Sequence, residues 1–120
     1  MALQPGWVHE WSTLAAQYAD DGRHDLAALA YGWAKFPTLA DDAKRAALQR
    51  QLAQYELASA RFPVSFERRV LEVPYQGTTT QVAVHLLAAP GLPADSPVVM
   101  VSGGVGSWKM DLHRLFAGGR

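Results

Sequence analysis

The residues whose types and spacing most clearly suggest a chemical role are Gly103, Gly104, Val105 and Gly106, which lie together near the end of the sequence. They follow the apolar run at residues 98–101, and a run without a polar face is typical of a strand buried between helical layers. Glycines after such a strand let another group approach the backbone closely. Residues 108–117 have a helical pattern, so the turn leads into a helix N-terminus, which attracts anions. Such a turn suits the binding of a phosphate or the stabilisation of the oxyanion of acyl transfer.

The two common phosphate-binding motifs fail on their spacing. A P-loop has Gly-Lys after four intervening residues, and Trp108 occupies the position of that glycine before Lys109. The dinucleotide fingerprint has a third glycine after two intervening residues, where this sequence has Lys109. Oxyanion stabilisation is therefore the favoured chemistry, and a tight turn without any ligand is the alternative.

Composition excludes several classes of function. The 120 residues include eleven basic and eleven acidic side chains and no cysteine. A zero net charge argues against nucleic-acid binding, and the lack of cysteine excludes disulfides, thiolate zinc sites and cysteine nucleophiles. No apolar stretch is long enough for a membrane span, and the N-terminus lacks the features of a signal peptide. We expect a soluble, cytoplasmic chain without a nucleic-acid or membrane partner.

The elements that position the glycine turn fall into two parts, because helix-forming residues dominate before residue 63 and Val, Thr, Pro and Gly dominate after it. Periodicity predicts helices at residues 10–19 and from about 24 to before Pro37. Residues 38–41 resemble a capping box that opens a third, longer helix to about Arg61. The second helix is expected to bury Leu26, Leu29, Ala30 and Trp33. Residues 64–73 and 78–87 predict an antiparallel hairpin, and residues 98–101 a third strand. The predicted fold class is α/β.

The segment Val-Val-Met-Val-Ser-Gly-Gly-Val-x-Ser-Trp-Lys-Met-Asp at residues 98–111, behind a helical front and a hairpin, resembles a known family. It is similar to the esterase-type α/β-hydrolases of the fermentation–respiration switch protein (FrsA) group and their dihydropseudooxynicotine hydrolase relatives. The resemblance implies a helical, cap-like segment at residues 1–63. It implies that residues 64–120 begin an α/β-hydrolase domain, with the hairpin, the third strand, the oxyanion turn and the first helix.

The family hydrolyses esters, or carbon–carbon bonds in some relatives, with a Ser-Asp-His triad and no cofactor. The resemblance implies that residues 103–106 offer backbone amides to the oxyanion, chiefly the amide of Val105 with Gly104 beside it. Ser107, Trp108 and Lys109 are candidates for lining the pocket of a small ester or acyl substrate, with packing as their more frequent role.

The nucleophile that the family requires is missing from this sequence. None of the six serines has glycine two positions away on both sides, as the Gly-x-Ser-x-Gly elbow demands; they are Ser12, Ser59, Ser65, Ser96, Ser102 and Ser107. We therefore expect the N-terminal portion of a hydrolase, inactive by itself.

The family's strand order has a consequence for the predicted third strand. In that order it pairs with the fourth strand, so both neighbours of residues 98–102 are absent and their backbone groups lack partners, at a cost of about 1–3 kcal/mol for each buried one. We expect the isolated chain to be unstable, to aggregate or to pair this strand elsewhere, for example with a second copy.

The remaining titratable residues give weaker signals. Asp111 and His113 are two residues apart, a spacing that does not bring helical side chains onto one face, so a solvated helical turn is expected there. His85 is expected to be a packed strand histidine, and His9 and His24 surface residues. The four scattered histidines do not have the spacing of a metal site.

A second class of function stays open. Residues 14–31 resemble one helical hairpin of a tetratricopeptide repeat, a peptide-binding scaffold, although such arrays need about three units to bury a core. Under that hypothesis the protein is an interaction module. A non-functional remnant is the other alternative.

Overall fold

The computed structural model describes residues 6–104 and 107–113. Three helices come first: α1 (Trp7–Asp20), α2 (His24–Lys35) and α3 (Asp42–Ala58), with a 3₁₀ turn at Ser59–Arg61. Two strands follow, β1 (Ser65–Tyr75) and β2 (Thr78–Ala88). A short 3₁₀ helix at Lys109–Leu112, called the terminal 3₁₀ helix below, comes after a segment without regular structure in its described part. The three predicted helices and the hairpin are confirmed, with boundaries that differ by a few residues.

Local sequence signals explain where the helices begin and end. Gly22 has a φ of +72° between α1 and α2, a conformation that costs glycine little. Asp41 precedes α3, and its carboxylate accepts a hydrogen bond from the backbone amide of Lys44 at 2.9 Å, which satisfies one of the free N–H groups of the first turn. The two turns let the three helices pack side by side.

The buried face of α2 differs from the predicted one. Leu29 and Trp33 are each 44% exposed, so their predicted burial was wrong. The buried side chains of α2 are instead mostly small, with one tyrosine and one lysine: Ala27, Ala28, Ala30, Tyr31, Ala34 and Lys35. Small residues allow α2 to approach α1 and α3 closely on two sides, and this turns Lys35 into the interior.

The strands form a two-stranded antiparallel sheet whose register runs from Ser65 opposite Ala88 to Tyr75 opposite Thr78. Gln76 and Gly77 connect them with φ values of 48° and 77°, the combination that tight hairpin turns require. The turn end of the hairpin is exposed. Its other end packs on α3, where Phe66 joins a core cluster with Ala28, Tyr55 and Met110. This cluster connects the helices, the hairpin and the terminal 3₁₀ helix.

The predicted third strand is wrong for the described residues. Residues 96–104 belong to no helix or strand, and Val98, Val99 and Met100 are 80–93% exposed. A strand needs a neighbour to complete its hydrogen bonds, and within the described ranges β1 and β2 pair only with each other. The helix expected at residues 108–117 is observed only as the terminal 3₁₀ helix and His113, and its later residues lie outside the described part of the chain.

None of the helices in the described ranges is long and apolar enough to cross a lipid bilayer.

Candidate functional site

The glycine turn closes on itself through the backbone. Ser107 donates its amide to the carbonyl oxygen of Gly104 at 3.1 Å. A Cβ atom on Gly103 would lie 2.6 Å from the carbonyl oxygen of Ser107, so only glycine fits at this position. Gly104 has open space where a side chain would be. Val105 and Gly106, the other predicted oxyanion residues, lie outside the described residues.

Gly103 and Gly104 are exposed. Among residues 6–104 and 107–113, no acceptor takes the backbone amide of either glycine. Within the described ranges the turn therefore has the property that oxyanion binding needs, namely backbone donors not used by another described residue. Whether residues 103–106 hold an oxyanion stays a prediction.

An ion pair between a buried lysine and a partly exposed aspartate holds the segment after the turn. The Nζ atom of Lys35 lies 3.0 Å from Oδ1 and 2.8 Å from Oδ2 of Asp111. The Lys35 side chain is 1% exposed and the Asp111 side chain 28%. Gln51 donates its amide to Asp111 Oδ1 at 2.9 Å, and the backbone amide of Trp108 donates to Oδ2 at 3.0 Å. The Asp111 carboxylate thus connects α2, α3 and the backbone of Trp108.

The expected solvated turn at Asp111 and His113 was therefore wrong. The two side chains do not meet each other, but each contacts a helix: Asp111 binds Lys35 and Gln51, and Nδ1 of His113 lies 2.7 Å from the hydroxyl of Tyr55. Sequence spacing compares residues on one element only. It carries no information about partners that the fold brings from 58 or 76 residues away.

Gly32 makes the approach of these groups to α2 sterically feasible. A Cβ atom at this position would lie 2.8 Å from Nε2 of Gln51 and 3.0 Å from Oδ1 of Asp111. Glycine inside a helix normally costs stability relative to alanine. Here its missing side chain leaves the space in which the hydrogen bond between Gln51 and Asp111 lies.

Burial lowers the pKa of Lys35, and the hydrogen bond and the charge of Asp111 act in the opposite direction. Lys35 also lies over the ring of Trp108, with Nζ 4.4 Å from its centroid. A buried ammonium is tolerated only when it is paired and hydrogen-bonded. The ring, the carboxylate and the carbonyl oxygen of Gly32, 3.4 Å from Nζ, together surround this one.

The three predicted pocket residues lie in different surroundings. Ser107 is exposed, and its backbone closes the turn. Trp108 is half-buried against Lys35. Burial and the nearby positive charge of Arg68 lower the pKa of Lys109, which places Lys109 beside the hairpin. Their predicted contact with a substrate stays a prediction.

Tyr55 is the centre of an aromatic cluster beside the ion pair. Its ring stacks on His85 at 5.6 Å with an interplanar angle of 8°, and Phe62, Phe66 and His113 meet it edge-on at 5.1–5.4 Å. Burial raises the pKa of Tyr55 to about 12. His85 is a packed strand histidine, as predicted, and the cluster attaches the hairpin to α3.

The protonation of His85 follows from its neighbour. Arg68 Nη1 lies 2.9 Å from His85 Nε2, and because a guanidinium only donates, Nε2 must accept. The imidazole proton is therefore on Nδ1, which is buried without a partner among the described residues. Burial, followed by the charges of Lys109 and Arg68, lowers the pKa of His85 to about 4, so the ring is neutral near pH 7.

A cavity of about 570 Å³ lies between α2, α3 and the terminal 3₁₀ helix. Its described lining includes His24, Tyr55, Arg61, Met110, Asp111 and His113, and neither Gly103 nor Gly104. The cavity therefore does not include the described glycines of the turn. His24, expected at the surface, is half-buried in this wall, with Nδ1 2.6 Å from Oε1 of Gln54.

The described residues contain no group of three His, Asp or Glu side chains close enough together to hold a metal ion.

Comparison with known proteins shows to which family the chain belongs. A family model described as "Esterase FrsA-like" matches residues 4–118. The chain belongs to the FrsA-like esterase family. The resemblance seen in residues 98–111 is confirmed, and the match extends over the helices and the hairpin as well.

Two curated relatives in this family are both named Esterase FrsA. The chain is 32% identical to that of Photobacterium profundum, over 97% of this chain and 30% of the relative. It is 31% identical to that of Vibrio parahaemolyticus, over 92% of this chain and 28% of the relative. The chain thus spans less than a third of the length of these relatives.

Among solved structures, the chain is similar to AbyA5, with a TM-score of 0.56 and 24% identity over 70% of this chain and 23% of AbyA5. At this level of identity the likeness concerns the fold alone. It supports the predicted fold class, in which a helical front and an antiparallel hairpin form the first part of an α/β-hydrolase.

Sequence reasoning missed Lys35, Gln51 and Gly32. One signal for Lys35 was available: it lies four residues after Tyr31 and seven after Ala28, on the helix face that proved to be buried. No local signal identifies Gln51, because a single glutamine in a mostly polar helix is ordinarily exposed.

Proposed function

We propose that this chain supplies the oxyanion-binding turn and part of the cap of a serine α/β-hydrolase that acts on carboxylic esters or on related acyl or carbon–carbon bonds. Membership of the FrsA-like esterase family carries the proposal. The free backbone donors of the glycine turn support it. In this assignment residues 1–63 form the cap-like segment, and residues 64–120 begin the hydrolase domain.

The proposed chemistry concerns the carbonyl oxygen of the substrate. When a serine oxygen attacks the ester carbon, the C=O electron pair moves onto oxygen and a tetrahedral oxyanion forms. The amides of Gly104 and Val105 donate hydrogen bonds to that oxygen in the proposed complex. One such donor is worth about 3–4 kcal/mol of transition-state stabilisation. It has this effect only if the turn is held in place before the substrate arrives.

The triad residues are not part of this proposal for the chain itself. No serine in it has the Gly-x-Ser-x-Gly context, and a turn of oxyanion donors without a nucleophile does not form an acyl-enzyme. The 120-residue chain alone is therefore expected not to hydrolyse esters.

Hydrolysis of p-nitrophenyl acetate and butyrate by the purified chain tests the incomplete-triad part. We expect no release of p-nitrophenol above the buffer rate. Turnover that persists in Ser102→Ala and Ser107→Ala would contradict the argument, because neither serine beside the turn would then be responsible.

A chimaera tests the oxyanion part. This chain would replace the matching segment of the Photobacterium profundum esterase, and hydrolysis of the same esters would be measured. Gly104→Pro removes one amide donor and is expected to lower kcat about a hundredfold with little change in KM. Gly104→Ala keeps every backbone amide and places its Cβ atom in open space, so it serves as the matched control. Equal activity of the Gly104→Pro and control chimaeras would overturn the assignment.

A further inference from the structure

The glycine turn is supported from one side only. Residues 96–102 precede it without regular structure and with exposed apolar side chains. The strand expected to support the turn from that side is not formed among the described residues. Whatever holds the turn in position must therefore come mainly from the residues that follow it.

On that following side the contacts form one continuous path. Ser107 closes the turn through its bond to Gly104. The next amide, that of Trp108, donates to Asp111 Oδ2. Asp111 in turn binds Lys35, the last residue of α2. Three consecutive links thus connect the turn to the helical part of the chain.

We propose that Lys35 is a positioning residue for the glycine turn: its ion pair with Asp111 fixes the carboxylate that holds the amide of Trp108, and so fixes Ser107 and its bond to Gly104 relative to α2 and α3. The inference rests on the proposed function, in which this turn binds the oxyanion. Lys35 does not touch the substrate. It acts through Asp111.

The chemistry of the pair suits positioning better than general stabilisation. Removing the Lys35 ammonium from water is costly, whereas the Asp111 carboxylate is still partly exposed, so we expect the pair to stabilise the fold little more than apolar side chains of the same volume would. Its geometry, however, is specific. Both carboxylate oxygens are used, Oδ1 by Lys35 and Gln51 and Oδ2 by Lys35 and Trp108, so the carboxylate cannot rotate without losing partners.

Amide hydrogen exchange of the full 120-residue chain tests the proposal. In Lys35→Met, which keeps the length and packing of the side chain, we expect the Ser107 amide to exchange about tenfold faster, whereas amides of the β1–β2 hairpin change less than about twofold. Lys44→Met is the matched control, because no hydrogen bond of the Lys44 amine is present within the described residues. It is expected to leave Ser107 exchange unchanged.

A double variant separates positioning from stability. Lys35→Met with Asp111→Leu removes both charges, so the free energy of unfolding should recover relative to Lys35→Met, while Ser107 continues to exchange fast because Trp108 has lost its acceptor. Lys35→Arg keeps the charge and should exchange nearly as the unaltered chain does. If Lys35→Met does not fold, the double variant, which leaves neither charge unpaired, serves as the test variant.

Three outcomes would overturn the proposal. They are unchanged Ser107 exchange in Lys35→Met, an equal acceleration of exchange in the hairpin, and a return of Ser107 protection in the double variant. The readout does not depend on catalysis. Fast Ser107 exchange in Lys35→Met, combined with a chimaera that is indifferent to Gly104→Pro, would refute the proposed function of the turn and leave the positioning role standing.

Discussion

Replacing Gly32 with alanine is expected to destabilise this protein, although the same change in the middle of most helices is stabilising. Gly32 lies within α2, and alanine is favoured over glycine in a helix interior by about 1 kcal/mol. The opposing effect comes from the Lys35–Asp111 region. The new Cβ atom would lie 2.8 Å from Gln51 Nε2 and 3.0 Å from Asp111 Oδ1, closer than nonbonded atoms approach.

The size of the destabilisation depends on which group the new Cβ atom displaces. The Gln51 amide is the end of a flexible side chain, so it moves at little steric cost, but the movement breaks its hydrogen bond to Asp111. A hydrogen bond to a charged group contributes about 1.5–3 kcal/mol. Subtracting the helix-propensity gain of about 1 kcal/mol leaves a net loss of about 0.5–2 kcal/mol.

Urea denaturation followed by circular dichroism measures this loss, and a double-mutant cycle supplies the control. In a Gln51→Ala background the clash with Nε2 and the hydrogen bond are both gone and only the 3.0 Å approach to Asp111 Oδ1 remains, so Gly32→Ala should cost clearly less than it does in the unaltered chain. A Gly32→Ala variant that is about 1 kcal/mol more stable than the unaltered chain would refute the reasoning, because it would show that Gln51 and Asp111 do not occupy the space beside Gly32.

Two further predictions concern the hairpin and the start of α3. The pKa of His85 is lowered to about 4 from about 6.5 in the unfolded chain, so its contribution to stability is complete above pH 6.5 and is lost as the pH falls through 4. This loss of unfolding free energy is about 3 kcal/mol before solvent screening and about half of that for a partly exposed ring. Denaturation of the unaltered chain and of His85→Phe at pH 7.5 and at pH 4.5 measures the loss. An equal loss of stability in the two proteins would contradict the prediction. Asp41→Ala removes the cap of α3 and should lower the free energy of unfolding, measured by heat or urea, by about 1 kcal/mol. Asp42→Ala, at a neighbouring exposed carboxylate, is the control and should lower it by only a few tenths of a kcal/mol. Equal effects of the two substitutions would show that the cap contributes nothing.

Much of the local architecture follows from residue patterns. Helix propensity, the turn signal at Gly22 and the capping-box pattern at residues 38–41 were enough to predict α1, α2 and α3, although the observed cap is Asp41, the last residue of that pattern. Alternation with the Gln76–Gly77 turn was enough for the hairpin. These features depend on hydrogen bonds between residues close in sequence, which is why a single sequence reveals them.

The candidate site was predictable only in part. The glycine turn was visible because glycine at a bend has a direct steric meaning, and Gly103 indeed has no room for a side chain. Its support was not visible. Lys35 and Asp111 are 76 residues apart, and Asp111 next to Lys109 and His113 suggested a solvated turn.

The apolar run at residues 98–101 shows a different limit. Its composition favours a buried strand, yet Met100 is 93% exposed. A strand is stabilised by the neighbouring strand with which it shares hydrogen bonds. β-Propensity expresses how well a residue fits the surface of a paired sheet rather than a preference of the isolated backbone. Within the described residues no neighbour is present beside it.

The sequence by itself determined the three helices, the hairpin, the position of the glycine turn and membership of the FrsA-like esterase family, because each of these is written in residue types at short spacing. The tertiary structure alone decided that α2 buries a lysine, that this lysine reaches a carboxylate beyond the turn, and that the apolar run has no strand partner in the part of the chain that the structure describes. The physical reason is that burial and pairing depend on which surfaces come together in space, and small side chains along α2 bring Lys35 and Asp111 together where no local pattern predicts it.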